Sequence, residues 1–140
     1  MPRPFAMADI AITAANFIPS ANASLTQGIA GASITRGQPL YLDTGTNTYK
    51  VFDASNVSKN AFAGFACEDA ASGQPILVCT KDPALQLGGT VASGDTVWGT
   101  ATGVTKTFAD LVTTWKIWVI GICTDASNTI NFSPVAGGIK

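Results

Sequence analysis

Residues 33–43 read Ser33-Ile34-Thr35-Arg36-Gly37-Gln38-Pro39-Leu40-Tyr41-Leu42-Asp43. Alternating apolar residues lead into a turn at Arg36-Gly37-Gln38, and residues 39–43 follow as a strand. Downstream, Thr44-Gly45-Thr46-Asn47 is a turn cluster, and Tyr49-Lys50-Val51-Phe52 resumes the sheet. Asp53-Ala54-Ser55-Asn56 predicts a capped helical turn or loop. Residues 62–68 form the next strand, Ala70-Ala71-Ser72-Gly73 a hairpin loop, and residues 75–80 return antiparallel.

The second half repeats this plan. Gly37 and Gly94 stand 57 residues apart, and so do Gly64 and Gly121. At that offset Ile34 meets Val91, Leu40 meets Val97, Tyr41 meets Trp98, Asp53 meets Asp110, Lys59 meets Lys116 and Val78 meets Val135. The alignment needs no gap. It predicts a duplication with units at about 33–80 and 90–137. One such unit is too small to bury its own sheet face, whereas two packed together share a core.

Residues 1–32 read differently. Pro2 and Pro4 disfavour helix or central strand. Asp9-Ile10-Ala11-Ile12-Thr13 alternates over one short strand, and residues 14–32 are small and polar with isolated Phe17, Ile18, Leu25 and Ile29. This stretch has too little apolar area to fold alone, so it is expected to be an extended arm laid on a partner surface, either its own body or another subunit. The expected fold is therefore mainly β: a compact antiparallel β-sandwich or barrel-like body over 33–140, built from two related β units and preceded by an N-terminal arm over 1–32. Asp9, Ile10, Ile12, Phe17 and Ile18 are the arm's candidate contacts.

In Trp115-Lys116-Ile117-Trp118-Val119-Ile120-Gly121-Ile122-Cys123 both faces of the strand are apolar. A half-exposed strand would show polar residues on one face. The second cover comes either from the chain's own loops or from a neighbouring subunit. Trp98, Trp115, Trp118 and Ile120 are the candidate subunit contacts.

The composition narrows function further. The chain has 140 residues, 46% hydrophobic and 12% charged, with a net charge of −1 and no histidine. The charge balance argues against nucleic-acid binding, which needs a cationic surface. Without histidine there is no Ser-His-Asp or Cys-His catalysis and no imidazole metal ligand. Apart from alanine, Thr, Gly, Val, Ile and Ser dominate, Glu68 is the lone glutamate, and leucine is scarce, which favours short strands over helices. Cys67, Cys79 and Cys123 have no C-x-x-C spacing and are expected to be buried free thiols. No run of about 18 apolar residues could span a membrane as a helix. The aspartates at 9, 43, 53, 69, 82, 95, 110 and 125 are dispersed, several beside turns where Asp bonds its own backbone. Glu68 and Asp69 are neighbours on a strand and point to opposite faces, so they form no acid/base pair. Calcium-loop, phosphate-loop, dinucleotide and nucleophile-elbow motifs are absent from the sequence. No enzyme, cofactor or metal is expected.

Several stretches together resemble a known family. They are Met7-Ala8-Asp9-Ile10-Ala11-Ile12-Thr13-Ala14-Ala15-Asn16, then Gly28-Ile29-Ala30-Gly31-Ala32-Ser33-Ile34-Thr35-Arg36-Gly37-Gln38-Pro39-Leu40-Tyr41-Leu42-Asp43. Tyr49-Lys50-Val51, Phe62-Ala63-Gly64-Phe65-Ala66, Ala70-Ala71-Ser72-Gly73-Gln74-Pro75, Gly121-Ile122 and Ala136-Gly137-Gly138 continue the series. In order and spacing the chain is similar to the head decoration, or capsid cement, proteins of tailed bacteriophages. The six residues before Met7 depart from the typical start of that family. The resemblance implies a virion protein on the outer capsid surface, made in the bacterial cytoplasm. It further implies a homotrimer at local three-fold positions, with an N-terminal arm tied to the major capsid protein. The alternative class is a carbohydrate-binding or adhesin-like β module using Trp98, Trp115, Trp118, Tyr41 and Tyr49.

Overall fold

The computed structural model describes residues 9–124 and 128–140. The part of the arm before Asp9 and the turn expected at Asp125 lie outside the described residues. Among the described residues, nine strands build one sheet: β1 (Ser24–Ile29), β2 (Pro39–Asp43), β3 (Thr48–Val51), β4 (Phe62–Ala66), β5 (Pro75–Gln86), β6 (Thr96–Gly99), β7 (Val104–Thr105), β8 (Lys116–Ile122) and β9 (Thr129–Ile139). Their order is β3-β2-β4-β5-β9-β8-β6-β7, with β1 added on β5. The molecule is mainly β, and its antiparallel sheet curls into a half-barrel.

The strand order mirrors itself about the β5–β9 junction, with β2, β3, β4 and β5 answered by β6, β7, β8 and β9. The likeness extends to register. Leu40 pairs with Gly64 and Tyr41 with Phe62, across an irregularity between Leu40 and Tyr41. Val97 pairs with Gly121 and Trp98 with Val119, across the equivalent irregularity. The turns agree bond for bond. Gly37 N–H donates to the Ala66 carbonyl at 2.8 Å, and Gly94 N–H to the Cys123 carbonyl at 2.7 Å. The Gln38 side chain accepts from Thr35 N–H, and the Asp95 side chain from Ala92 N–H, both at 2.9 Å. Gly37 and Gly94 have φ of +90° and +92°, where a Cβ is disfavoured. At Gly64 and Gly121 the demand is close approach. A Cβ on Gly64 would lie 2.5 Å from the Cys79 carbonyl oxygen, and one on Gly121 2.5 Å from that of Asn131.

The units begin earlier than the sequence spacing predicts. β1 maps 57 residues on to positions 81–86, the second half of β5. The first half of β5 pairs with β1 and β4. The second half pairs with β9 through Asp82–Phe132, Leu85–Ile130 and Gln86–Thr129. One continuous strand thus closes the first unit and opens the second.

Two apolar clusters fill the fold. The larger joins both units and includes Phe17, Phe52, Phe62, Phe65, Leu85, Ile120 and Phe132. Phe62 stands at its centre, with Phe52, Phe65, Trp118 and Phe132 rings at 5.5–5.9 Å in tilted or edge-on contact. Such pairs add about 0.5–1.5 kcal/mol beyond the area they bury. The smaller cluster holds Ala30, Ile34, Leu40, Ile76 and Val78, under Tyr49 and Val51. They lie on opposite faces of the sheet, because neighbours such as Phe65 and Ala66 on β4, or Cys79 and Val78 on β5, point to opposite sides and divide between the two clusters.

Candidate interaction surfaces

The described part of the N-terminal segment takes its own body as its surface. Ile10 N–H donates to the Val104 carbonyl at 2.7 Å, and Thr13 N–H to Gly88 at 2.9 Å. Ile18 and Gln86 exchange backbone bonds at 2.9 and 3.1 Å. Asp9 accepts from the Thr100 hydroxyl at 2.8 Å and also from the Thr102 hydroxyl. The Phe17 carbonyl accepts from Arg36 Nε at 2.9 Å and Nη2 at 2.6 Å. The Ser20 N–H and hydroxyl both bond the carboxylate of buried Asp82, whose third partner is Ala84 N–H. Gly88 and Gly89 let this segment lie close, since a Cβ on Gly88 would come 2.9 Å from the backbone nitrogen of Phe17.

This placement corrects the expected contacts. Phe17 is fully buried, with its ring 5.5 Å from that of Phe65, so it anchors the segment to this molecule and offers no surface to a partner. Ile10 and Ile12 are half-buried against the main core, while Ile18 is exposed. β1 is an integral strand of the sheet, so the boundary expected at residue 32 falls inside the first unit.

The expected subunit contacts divide the same way. Ile120 is fully buried and Trp115 nearly so, both within the main core. Neither is available to a neighbour. Trp118 is half-buried, and its indole N–H donates to the Asn60 carbonyl at 2.7 Å. Trp98 meets Phe108 edge-on at 4.8 Å, and the Lys140 ammonium caps the Phe108 ring at 4.5 Å. What the sequence reading missed is that Ile122, Val135 and Ile139, on β8 and β9, are exposed. The strong apolar character of both faces of 115–123 was its signal.

A shallow cleft of about 450 Å³ lies where the N-terminal segment crosses the sheet. Thr13, Asn16, Gln86, Gly88 and Asn128 line it, with no aromatic or charged residue. No tryptophan lines it, so the cleft lacks the stacking platform that a sugar site of the expected kind would use.

The thiols are unbridged among the described residues, with Cys79 and Cys123 buried and Cys67 half-buried. Cys67, just past the end of β4, interacts with Cys79 on β5. The hydrogen bond with Cys79 holds the Cys67 thiol below its usual range, while the same contact and burial push Cys79 up. No group of three or more His, Cys, Asp or Glu side chains suited to a metal occurs among the described residues. No protein-family model and no curated protein sequence matches the chain.

Proposed function

We propose that the chain is a structural virion protein that binds the outer surface of an assembled phage capsid and stabilises it. In this reading it acts as a homotrimer at local three-fold positions, and its N-terminal segment contacts the major capsid protein. The observation that carries the reading is the resemblance to tailed-phage decoration proteins, which runs in order from Met7 to Gly138. The geometry supports it in one respect. The N-terminal stretch is held to the body by backbone bonds and by Phe17, yet it turns Ile18, Leu25 and Ile29 outward. That is a surface suited to packing on a large partner, and symmetry would multiply a weak contact through effective concentration. No catalytic role is proposed.

The test is addition of the purified protein to undecorated, expanded shells. Cosedimentation and a raised disruption temperature are expected, with both weakened by Ile18→Asp. Shells left unbound and disrupted at their original temperature would refute the proposal.

A further inference from the structure

The pairing of β4 with β5 brings Cys67 and Cys79 together. Phe65 faces Cys79 and Ala66 faces Val78. Cys67, one residue past β4, therefore falls opposite Leu77, and its N–H donates to the Leu77 carbonyl at 2.8 Å. Cys79 is two residues on from Leu77, so both cysteines turn to the same face. Both meet the main core there, Cys79 buried and Cys67 half-buried. Their side chains are close enough to share a hydrogen bond.

That spacing decides what can join them. Diagonal neighbours of an antiparallel pair stand about 7–8 Å apart, a little less between Cβ atoms. A disulfide wants Cα atoms about 4.4–6.8 Å apart and Cβ atoms about 3.5–4.5 Å apart. The two sulfurs are thus neighbours held short of a bond. A cation between them fits better, since metal–thiolate bonds of about 2.3 Å, set in line, place the sulfurs about 4.6 Å apart. Thiolates select soft cations, Cu(I), zinc and iron–sulfur clusters among them. Structural zinc and iron–sulfur centres call for four ligands. Among the described residues no group of three or more His, Cys, Asp or Glu surrounds a metal position, so the pair has no such partners. Cu(I), a closed-shell monovalent ion, is satisfied by two sulfurs.

The surroundings give access and a sequence of events. Cys67 opens on a shallow cleft of about 310 Å³, lined also by Ala14, Ala15, Arg36, Glu68 and Asp69. The contact with Cys79 and the Arg36 guanidinium favour the Cys67 thiolate against burial and Glu68, whereas the contact with Cys67, burial and Asp82 hold the proton on Cys79. Cys67 therefore ionises first, and Cys79 gives up its proton to a cation already held at Cys67.

We propose that Cys67 and Cys79 form a two-sulfur site for a soft monovalent cation, Cu(I), held in line between them as a bis-thiolate. Binding breaks two S–H bonds, forms two copper–sulfur bonds and sends two protons to solvent, with no electron transferred. The product carries one negative charge, which the Arg36 guanidinium offsets.

The test is titration of the reduced full chain with Cu(I), without oxygen and against a coloured Cu(I) chelator. One equivalent per chain is expected, with two sulfur neighbours by X-ray absorption. Cys67→Ala and Cys79→Ala should each weaken uptake by more than about a hundredfold, beyond what a lost outer partner costs a metal site. Cys123→Ala should leave it unchanged. Affinity should climb with pH, by at most about a hundredfold per unit, because two protons leave. If Cys79→Ala does not fold, alkylation of Cys67 in the parent protein, with the circular dichroism spectrum unchanged, should abolish uptake by itself. Uptake that survives Cys67→Ala or Cys67 alkylation is adventitious and overturns the site. So does a Cys67–Cys79 disulfide that forms readily with mild oxidant in the metal-free protein, because the sulfurs would then lie within bonding reach.

Discussion

Phe17→Ala tests whether the N-terminal segment belongs to the folding unit. The side chain is fully buried in the main core against Phe65, and its carbonyl receives two bonds from Arg36. Deleting such a ring costs about 3–5 kcal/mol, the lost transfer energy plus the cavity left behind. That is a large share of the roughly 5–15 kcal/mol by which domains are stable. The loss has a ceiling, however. If the segment peels away at lower cost than tolerating the cavity, the measured loss equals the docking energy of the segment. Urea unfolding followed by circular dichroism should show a midpoint lowered by the equivalent of about 3 kcal/mol or more, with the slope unchanged. Ile18→Ala, one residue on and exposed, should cost under about 1 kcal/mol. If Phe17→Ala costs no more than Ile18→Ala, the segment is a detachable arm and the argument for an integrated fold fails.

Three further outcomes follow from the geometry. Gly64→Ala and Gly121→Ala each drive a Cβ against a neighbouring carbonyl 2.5 Å away, and each should lose about 1–3 kcal/mol in thermal or urea unfolding; equal stability to the parent would mean the strands can spread there freely. Timed alkylation under native conditions should modify Cys67 first and leave Cys79 and Cys123 until unfolding, because Cys67 alone is half-exposed and its thiol is held low; first modification of Cys79 would contradict this. The hydrogen bond from Lys50, at 2.8 Å, leads the causes that hold the Asp43 carboxyl below its usual 3.8. A depressed folded value means the pair's contribution is complete above about 3.8 and fades as pH falls through the lower folded value, while the raised Lys50 contributes below 10.5 and fades only as pH rises past it. An NMR titration of Asp43 in Lys50→Met should move its midpoint upward, and an unmoved midpoint would discount the pair.

The features legible in the sequence are those set by local chemistry. Turn glycines announce themselves through φ, as at Gly37 and Gly94, and residues such as Leu40 and Val97 alternate because a sheet does. The placement of the N-terminal segment was not legible. Asp9 bonds Thr100, 91 positions away, and no period within residues 9–23 encodes such a partner. The true start of each unit was hidden because Ser-Leu-Thr-Gln-Gly-Ile and Lys-Asp-Pro-Ala-Leu-Gln share backbone role without sharing residue types. Trp115 and Ile120 misled for another reason. An apolar strand says that something covers it, and the irregularity in β8 at Ile120, where Val97 and Trp98 pair with Gly121 and Val119, helps decide which side chains turn inward.

The strand common to both units has a consequence for how the molecule comes apart. Because β5 cannot lose its first half without loosening its second, neither unit has an independent melting point to offer. The chain carries its own reporters of this. All three tryptophans, at 98, 115 and 118, sit in the second unit, and both tyrosines, at 41 and 49, in the first. Indole emission and tyrosine absorbance therefore watch opposite ends of one sheet, and they should change together on heating, as a single welded body rather than two beads.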